Sequence, residues 1–172
     1  MNVAVIGLVV GGALLAAAPS ASSSLDDSKI LEIVEVANTG QIEQAQLAVS
    51  RTQAPTVKAF ARAMIEDHTD ARDEGRTVAK RIGVSPTPSP VSTELKAANN
   101  QIIMQLRPLQ KNQFDRAYVD SQITMQKRVL GLIDDRLIPE AQTAEVKSLL
   151  SGMRGHVDEH VDKAEKILEK LP

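Results

Sequence analysis

Two histidines, one glutamate and one glutamine stand where four apolar stripes would otherwise run unbroken: His68, His160, Glu43 and Gln126. Around His68 the stripe reads Val57, Ala61, Met64, His68, Ala71, Gly75, Val78 and Ile82. Its three- and four-residue steps mark one face of a helix. His160 sits in the same way among Val146, Leu149, Met153, His156, Ala164, Ile167 and Leu171, and Gln126 among Val119, Ile123, Leu130, Ile133 and Leu137. Glu43 falls on a broad apolar face with Ile30, Ile33, Val36, Ala37, Gly40 and Leu47. Both imidazoles are therefore expected to point inward.

Two imidazoles and a carboxylate form a ligand set for one divalent ion, Fe(II) or Zn(II), with Gln126 at most a weak neutral ligand. Asp67 and Glu159, adjacent in the chain, are placed to orient the two rings from outside. A softer set of Met64 and His68 with Met153, His156 and His160 suits copper, although Met on a stripe also serves as core filler. The structural alternative is a hydrogen-bonded layer. A buried polar group costs a few kcal/mol unless it is satisfied, and single polar residues inside helical cores fix register. On the residues alone both readings stand.

Catalytic patterns are weaker. A paired-iron oxidase requires Glu-x-x-His on two helices, and the positions three before His68 and His160 are Ile65 and Val157. His156-Val157-Asp158-Glu159-His160 matches the H-x-x-E-H pattern of one metallopeptidase class, but Glu159 falls away from the two histidines toward solvent. No Ser or Cys nucleophile motif and no phosphate-cradling glycine loop occurs. The reading leans away from an enzyme.

The elements that must position these residues are helices. Asp26, Asp27 or Ser28 caps a first helix running to about Val49. Pro55, at a first helical position, and Gly83, where a left-handed cap belongs, bound a second. Ser85-Pro86-Thr87-Pro88-Ser89-Pro90 cannot continue it and forms a stiff crossover. Ser92 or Thr93 then caps a short helix through Leu95, Ala98, Ile102 and Leu106, ended by Pro108 and expected to lie as a strap outside the bundle. A third long helix starts at Asn112 and is broken by Pro139, and a last one starts between Glu140 and Thr143. The fold class is all-α, a four-helix bundle with a short extra crossover helix. Antiparallel helices of similar length bring their midpoints to one depth, so His68, Gln126 and His160 should share a central layer, with Glu43 slightly off it.

Composition bounds the setting. Residues Val3 to Ala18 form an apolar run without a charge, followed by Pro19 and a cluster of small residues, the pattern of a secretory signal over residues 1–22. The run is shorter than the about 20 residues of a helical membrane span, so no integral span is expected in the mature chain. No Lys or Arg precedes it, a departure from the usual pattern. The absence of Cys excludes thiolate ligands, disulfides and a lipid-modified cysteine. The remaining 26–171 suit one domain of about 150 residues. A net charge of −2, no basic cluster beyond Lys80-Arg81 and only three aromatics, Phe60, Phe114 and Tyr118, argue against a nucleic-acid partner.

Three segments carry a family likeness. Val57-Lys58-Ala59-Phe60-Ala61-Arg62-Ala63-Met64-Ile65-Glu66-Asp67-His68, Phe114-Asp115-Arg116-Ala117-Tyr118-Val119-Asp120 and His160-Val161-Asp162-Lys163-Ala164-Glu165, with Gly40 and Glu43, resemble the exported ferritin-like family catalogued as domain of unknown function 4142. The resemblance spans about Ser28 to Leu168. It implies a ferritin-like four-helix bundle in the bacterial envelope, in the periplasm or associated with the outer membrane, without assigned chemistry. It also implies inward histidines at positions 68 and 160, with Gln126 replacing a third histidine usual on helix three and His156 without a counterpart.

The expectation that follows is an exported, non-catalytic envelope or stress-associated module with a buried polar layer. The alternative is a periplasmic metal-binding or redox protein that holds a single divalent ion (iron or zinc, with copper the softer choice). Its core ligands would be Glu43, His68 and His160, with Asp67, Gln126 and His156 at the periphery. A third class is an adaptor that uses an apolar strip around Ile102, Ile103 and Leu106 to hold an envelope protein or a second copy of the chain.

Overall fold

The computed structural model describes residues 24–172, so the expected signal over 1–22 lies outside the described residues. Helix α1 spans Asp27–Arg51, and the Asp26 side chain caps it by accepting from the Lys29 N–H at 2.9 Å. Helix α2 spans Pro55–Ile82, with proline at its first position, where a missing N–H costs nothing. It ends at Gly83, whose φ of 71° is left-handed and favours glycine. The proline-rich crossover is pinned to the start of α1: Ser28 Oγ donates to the Ser85 carbonyl, and the Thr87 N–H donates to the Ser28 carbonyl.

Helix α3, Pro90–Leu106, begins before the expected cap. Ser89 is the cap, in a reciprocal box with Ser92, because Pro90 takes the first helical position and leaves Ser89 extended. Helix α4 spans Lys111–Leu132. Pro139 does not break the helix where expected. The chain widens into a π-helical turn over Ile133–Leu137, passes through a single turn α5, Ile138–Glu140, and leaves the helix only at Ala141. Proline lacks a donor and its ring collides with the carbonyl four residues back; the wider turn, in which the Ile138 N–H donates to Ile133, accommodates it. Helix α6, Ala144–Leu168, is capped by Thr143, whose hydroxyl accepts from the Val146 N–H.

Helices α1, α2, α4 and α6 form the bundle, and α3 lies chiefly along α1 with an edge on α4. Among the described residues there is no strand, and no helix is long and apolar enough to cross a membrane. One end of the bundle is laced by buried carboxylate chemistry. Asp27 accepts from the Gln142 and Thr143 N–H groups, and Glu140 accepts from the Leu25 N–H and from Arg136. These bonds hold the Glu140 carboxyl below its usual range, the Leu25 N–H contributing most.

The apolar core comes in two blocks. One gathers Ile30, Ile33, Val34, Val78, Ile133, Leu149 and Leu150; the other gathers Ala45, Val57, Phe60, Met64, Phe114, Tyr118 and Val119. Near the junction of the blocks every bundle helix carries buried polar residues: Asn38, Gln41 and Gln44 on α1, His68 on α2, Gln122 and Gln126 on α4, and His160 on α6. Of the strip expected around Ile102, Ile103 and Leu106, the two isoleucines are half-buried and Leu106 is buried, and Ile102 and Leu106 line a groove of about 430 Å³ between α3 and α4. The exposed apolar side chain of α3 is Met104, at 66%.

Candidate functional site

Directed hydrogen bonds join most of the polar layer, while the buried side chain of Gln41 makes none. Asn38 Nδ2 donates to the Val34 carbonyl of its own helix at 2.8 Å, which turns Asn38 Oδ1 toward α2 as an acceptor. His68 Nδ1 therefore carries the proton and donates to it at 2.8 Å. His68 Nε2 is left as a lone pair and accepts from Gln126 Nε2 of α4 at 3.0 Å. One chain of bonds thus crosses α1, α2 and α4. Burial, with a smaller push from His160 and against a pull from Asp67, lowers the His68 pKa to about 3. The ring is neutral at any ordinary pH, which its acceptor role requires.

His160 is tied differently. Its Nε2 donates to Asp67 Oδ2 at 2.8 Å, joining α6 to α2. Burial lowers its pKa while Asp67 opposes the shift. The Nδ1 of this ring is buried and has no hydrogen-bond partner, and the same holds for Gln126 Oε1.

Sequence spacing put Glu43 slightly off the layer of these rings, as a candidate ligand; the structure turns it away from them. Glu43 is exposed and accepts from Asn99 Nδ2 of α3 at 2.8 Å. The stripe of Gly40, Glu43 and Leu47 is real but faces α3, where a Cβ on Gly40 would stand 2.9 Å from Asn99 Cγ. Relative to Asn38, Glu43 lies about 7.5 Å along the helix axis and about 140° around it. The stripe of α1 that faces α2 and α4 is Ile30, Val34, Asn38, Gln41, Ala45 and Ala48, so Asn38 is the residue opposite His68. A second chain was also missed: Gln122 Nε2 donates to Gln44 Oε1 at 2.7 Å, and Gln44 Nε2 donates to Asn99 Oδ1 at 2.8 Å. The regular polar interruption at Asn38, Gln41 and Gln44 was the available signal.

The ligand sets expected from spacing are not assembled as written. Among the described residues no three His, Asp or Glu side chains are gathered as a metal-holding group. Both nitrogens of His68 are engaged, and Gln126 reaches His68 through its amide nitrogen, leaving Oε1 buried and unpartnered. For the softer set, Met64 belongs to one core block and Met153 to the other. Glu159 is exposed and pairs with Lys163, away from the two histidines of its motif.

Beside the layer, α2 and α6 part to leave a cleft of about 140 Å³. His68 and His160 form part of its wall, exposed His156 and Gly152 line it from α6, and Asp67, Asp70 and Glu74 line it from α2. Asp70 and Glu74 carried no weight in the sequence, where they read as part of a solvated helix face.

Comparison with known proteins places the chain by family alone. No curated protein and no solved structure matches it. The family model described as Domain of unknown function (DUF4142) matches residues 12–167, a span that includes the bundle helices short of the last residue of α6 and every residue of the polar layer. The chain belongs to the DUF4142 family.

Proposed function

We propose that this protein is an exported, non-catalytic helical module of the bacterial envelope whose mid-core polar layer sets the register of its helices. The observation that carries the reading is the engagement of both His68 ring nitrogens by protein side chains, Asn38 on one side and Gln126 on the other. A ring so occupied does structural work. Export is supported by the apolar run Val3 to Ala18 and the small residues after it.

The physics of register supports the same reading. Sliding one helix by a turn, about 5.4 Å, would strand the donors and acceptors of the Asn38–His68–Gln126 chain and of the Gln122–Gln44–Asn99 chain. Each buried group left unpaired costs about 1–3 kcal/mol, and a few together match the ~5–15 kcal/mol that holds a whole domain folded. Purely apolar helices, by contrast, tolerate slippage between similar packings. The polar layer therefore selects one alignment among several of comparable apolar burial.

The test is His68→Ala, compared with the parent protein by urea unfolding and by metal analysis of protein purified without chelator. The expected result is a stability loss of about 2–4 kcal/mol with metal content unchanged. A stoichiometric metal present in the parent and lost in the variant would overturn the reading.

A further inference from the structure

Helix α3 lies outside the four-helix bundle and buries only one of its faces there: Leu95, Asn99 and Leu106 turn inward. The opposite face is open, yet it is uncharged where water would favour charge, since residues 97–106 contain no Asp, Glu, Lys or Arg. Exposed on it are Ala97, Asn100, Gln101 and Met104, the last with 66% of its surface in water. A helix face stripped of charge, with a methionine near its middle, has the composition of the centre of a protein–protein contact. Charge returns at the two ends of the face with opposite sign, as exposed Glu94 and exposed Arg107. Among the described residues Arg107 has no ion-pair partner, and Glu94 meets Arg128 at 3.6 Å.

This arrangement is self-complementary. With about 100° between successive residues, Ala97 and Met104 lie within about 20° of each other around the helix, each about 5 Å along it from the midpoint between Asn100 and Gln101. A second α3, laid antiparallel across a twofold axis at that midpoint, sets each Met104 over the other copy's Ala97 and each Asn100 beside the other copy's Gln101. The same operation sets Glu94 against the other copy's Arg107 at both ends, about 10 Å from the axis. Large side chain then faces small, amide faces amide and acid faces base, each contact made twice as a twofold interface requires. We propose that the outer face of α3 is a dimer interface between two copies of this chain, anchored by Met104. A 17-residue helix is about 25 Å long, and a contact one helix wide buries less than the about 1,200 Å² of a tight complex, so the dimer is weak and reversible. The exposed end charges select direction rather than supply affinity: a parallel pairing would set like charges together at each end. The interface is separate from the polar layer and does not rest on its role.

The experiment is sedimentation equilibrium of the exported protein, joined to disulfide trapping, for which a chain without Cys gives a clean background. The expected result is a monomer–dimer equilibrium with a Kd between about 1 µM and 1 mM. Met104→Glu changes only an exposed side chain; it should leave the urea midpoint unchanged and weaken dimerisation at least about tenfold, by placing a charge at the centre of the contact. Chains carrying Ala97→Cys, mixed with chains carrying Met104→Cys, should cross-link on oxidation. Neither should cross-link to itself, because like positions stand about 10 Å apart along the paired helices, beyond the reach of a disulfide. Three results would overturn the interface: a chain that stays monomeric to about 1 mM, which would leave the face to a different protein; a dimer that Met104→Glu does not weaken; or like positions that cross-link as fast as the mixed pair.

Discussion

His68 and His160 stand side by side at the centre of the bundle, ring centroids 5.2 Å apart and planes tilted by 47°, yet each is bonded to a different helix. His68 reaches α1 and α4, and His160 reaches α2 through Asp67. Together the two rings tie all four bundle helices at one depth. Their closeness also means that a proton on one disfavours a proton on the other, which adds to burial in keeping His68 neutral.

Acid should therefore loosen the fold earlier than its carboxylates alone would. The folded His68 pKa is about 3, against about 6.5 for an unfolded histidine. Between those values the unfolded chain binds a proton that the folded chain refuses. The contribution is complete above about pH 6.5 and is lost as pH falls toward 3, at about 1.4 kcal/mol per pH unit. His160, shifted in the same direction, acts with it. Urea midpoints measured from neutral pH downward should fall with this slope. The slope should flatten in His68→Gln, whose amide can still donate to Asn38 and accept from Gln126. An equal slope in parent and variant would contradict the assignment.

Tyr118 carries an unpartnered hydroxyl into the core. The side chain is fully buried against Phe60 and Phe114, burial pushes its phenol pKa up, and its oxygen has no hydrogen-bond partner. Removing an unsatisfied buried hydroxyl while keeping the ring should be neutral or stabilising, by up to about 1–2 kcal/mol. Thermal unfolding of Tyr118→Phe should show an equal or higher midpoint. A clear drop would mean that the hydroxyl has a partner, such as an ordered water.

Gly40 is required by the approach of α3 to α1. A methyl group there would press on Asn99, whose amide is fixed between Gln44 and Glu43, so relief by rotation breaks that chain. Gly40→Ala should cost about 1–3 kcal/mol despite the better helix propensity of alanine. The loss should appear first as faster amide hydrogen exchange in α3. Unchanged or slower exchange would show that α3 does not depend on this contact.

Much of this architecture is legible in the chain itself. Pro55 and Gly83 bound α2, and Thr143 caps α6, because these residues act locally through a missing donor, a left-handed φ and a side-chain acceptor. His68, Gln126 and His160 share a layer because antiparallel helices of similar length align their midpoints. Glu43 was misplaced because α1 has two buried faces, one toward α2 and α4 and one toward α3. A periodicity identifies a buried stripe without naming the neighbour that covers it. The π turn at Ile133–Leu137 escaped for a related reason: a proline rule states which bond is lost and not how the backbone recovers. The cleft depends on a gap between α2 and α6, so exposed Asp70 and Glu74 join His156, already a peripheral candidate in the sequence, only when the two helices are placed opposite each other.

The central claim is that His68 and Gln126 hold the bundle in register through their mutual bond, and a double-mutant cycle in urea tests it most directly. His68→Ala, Gln126→Ala and the combined variant are compared with the parent. The predicted result is that each single change strands a buried partner, and that the combined loss falls short of the sum by about 1 kcal/mol or more. Strictly additive losses, within about 0.3 kcal/mol, would show that the two side chains do not act together and would contradict the account.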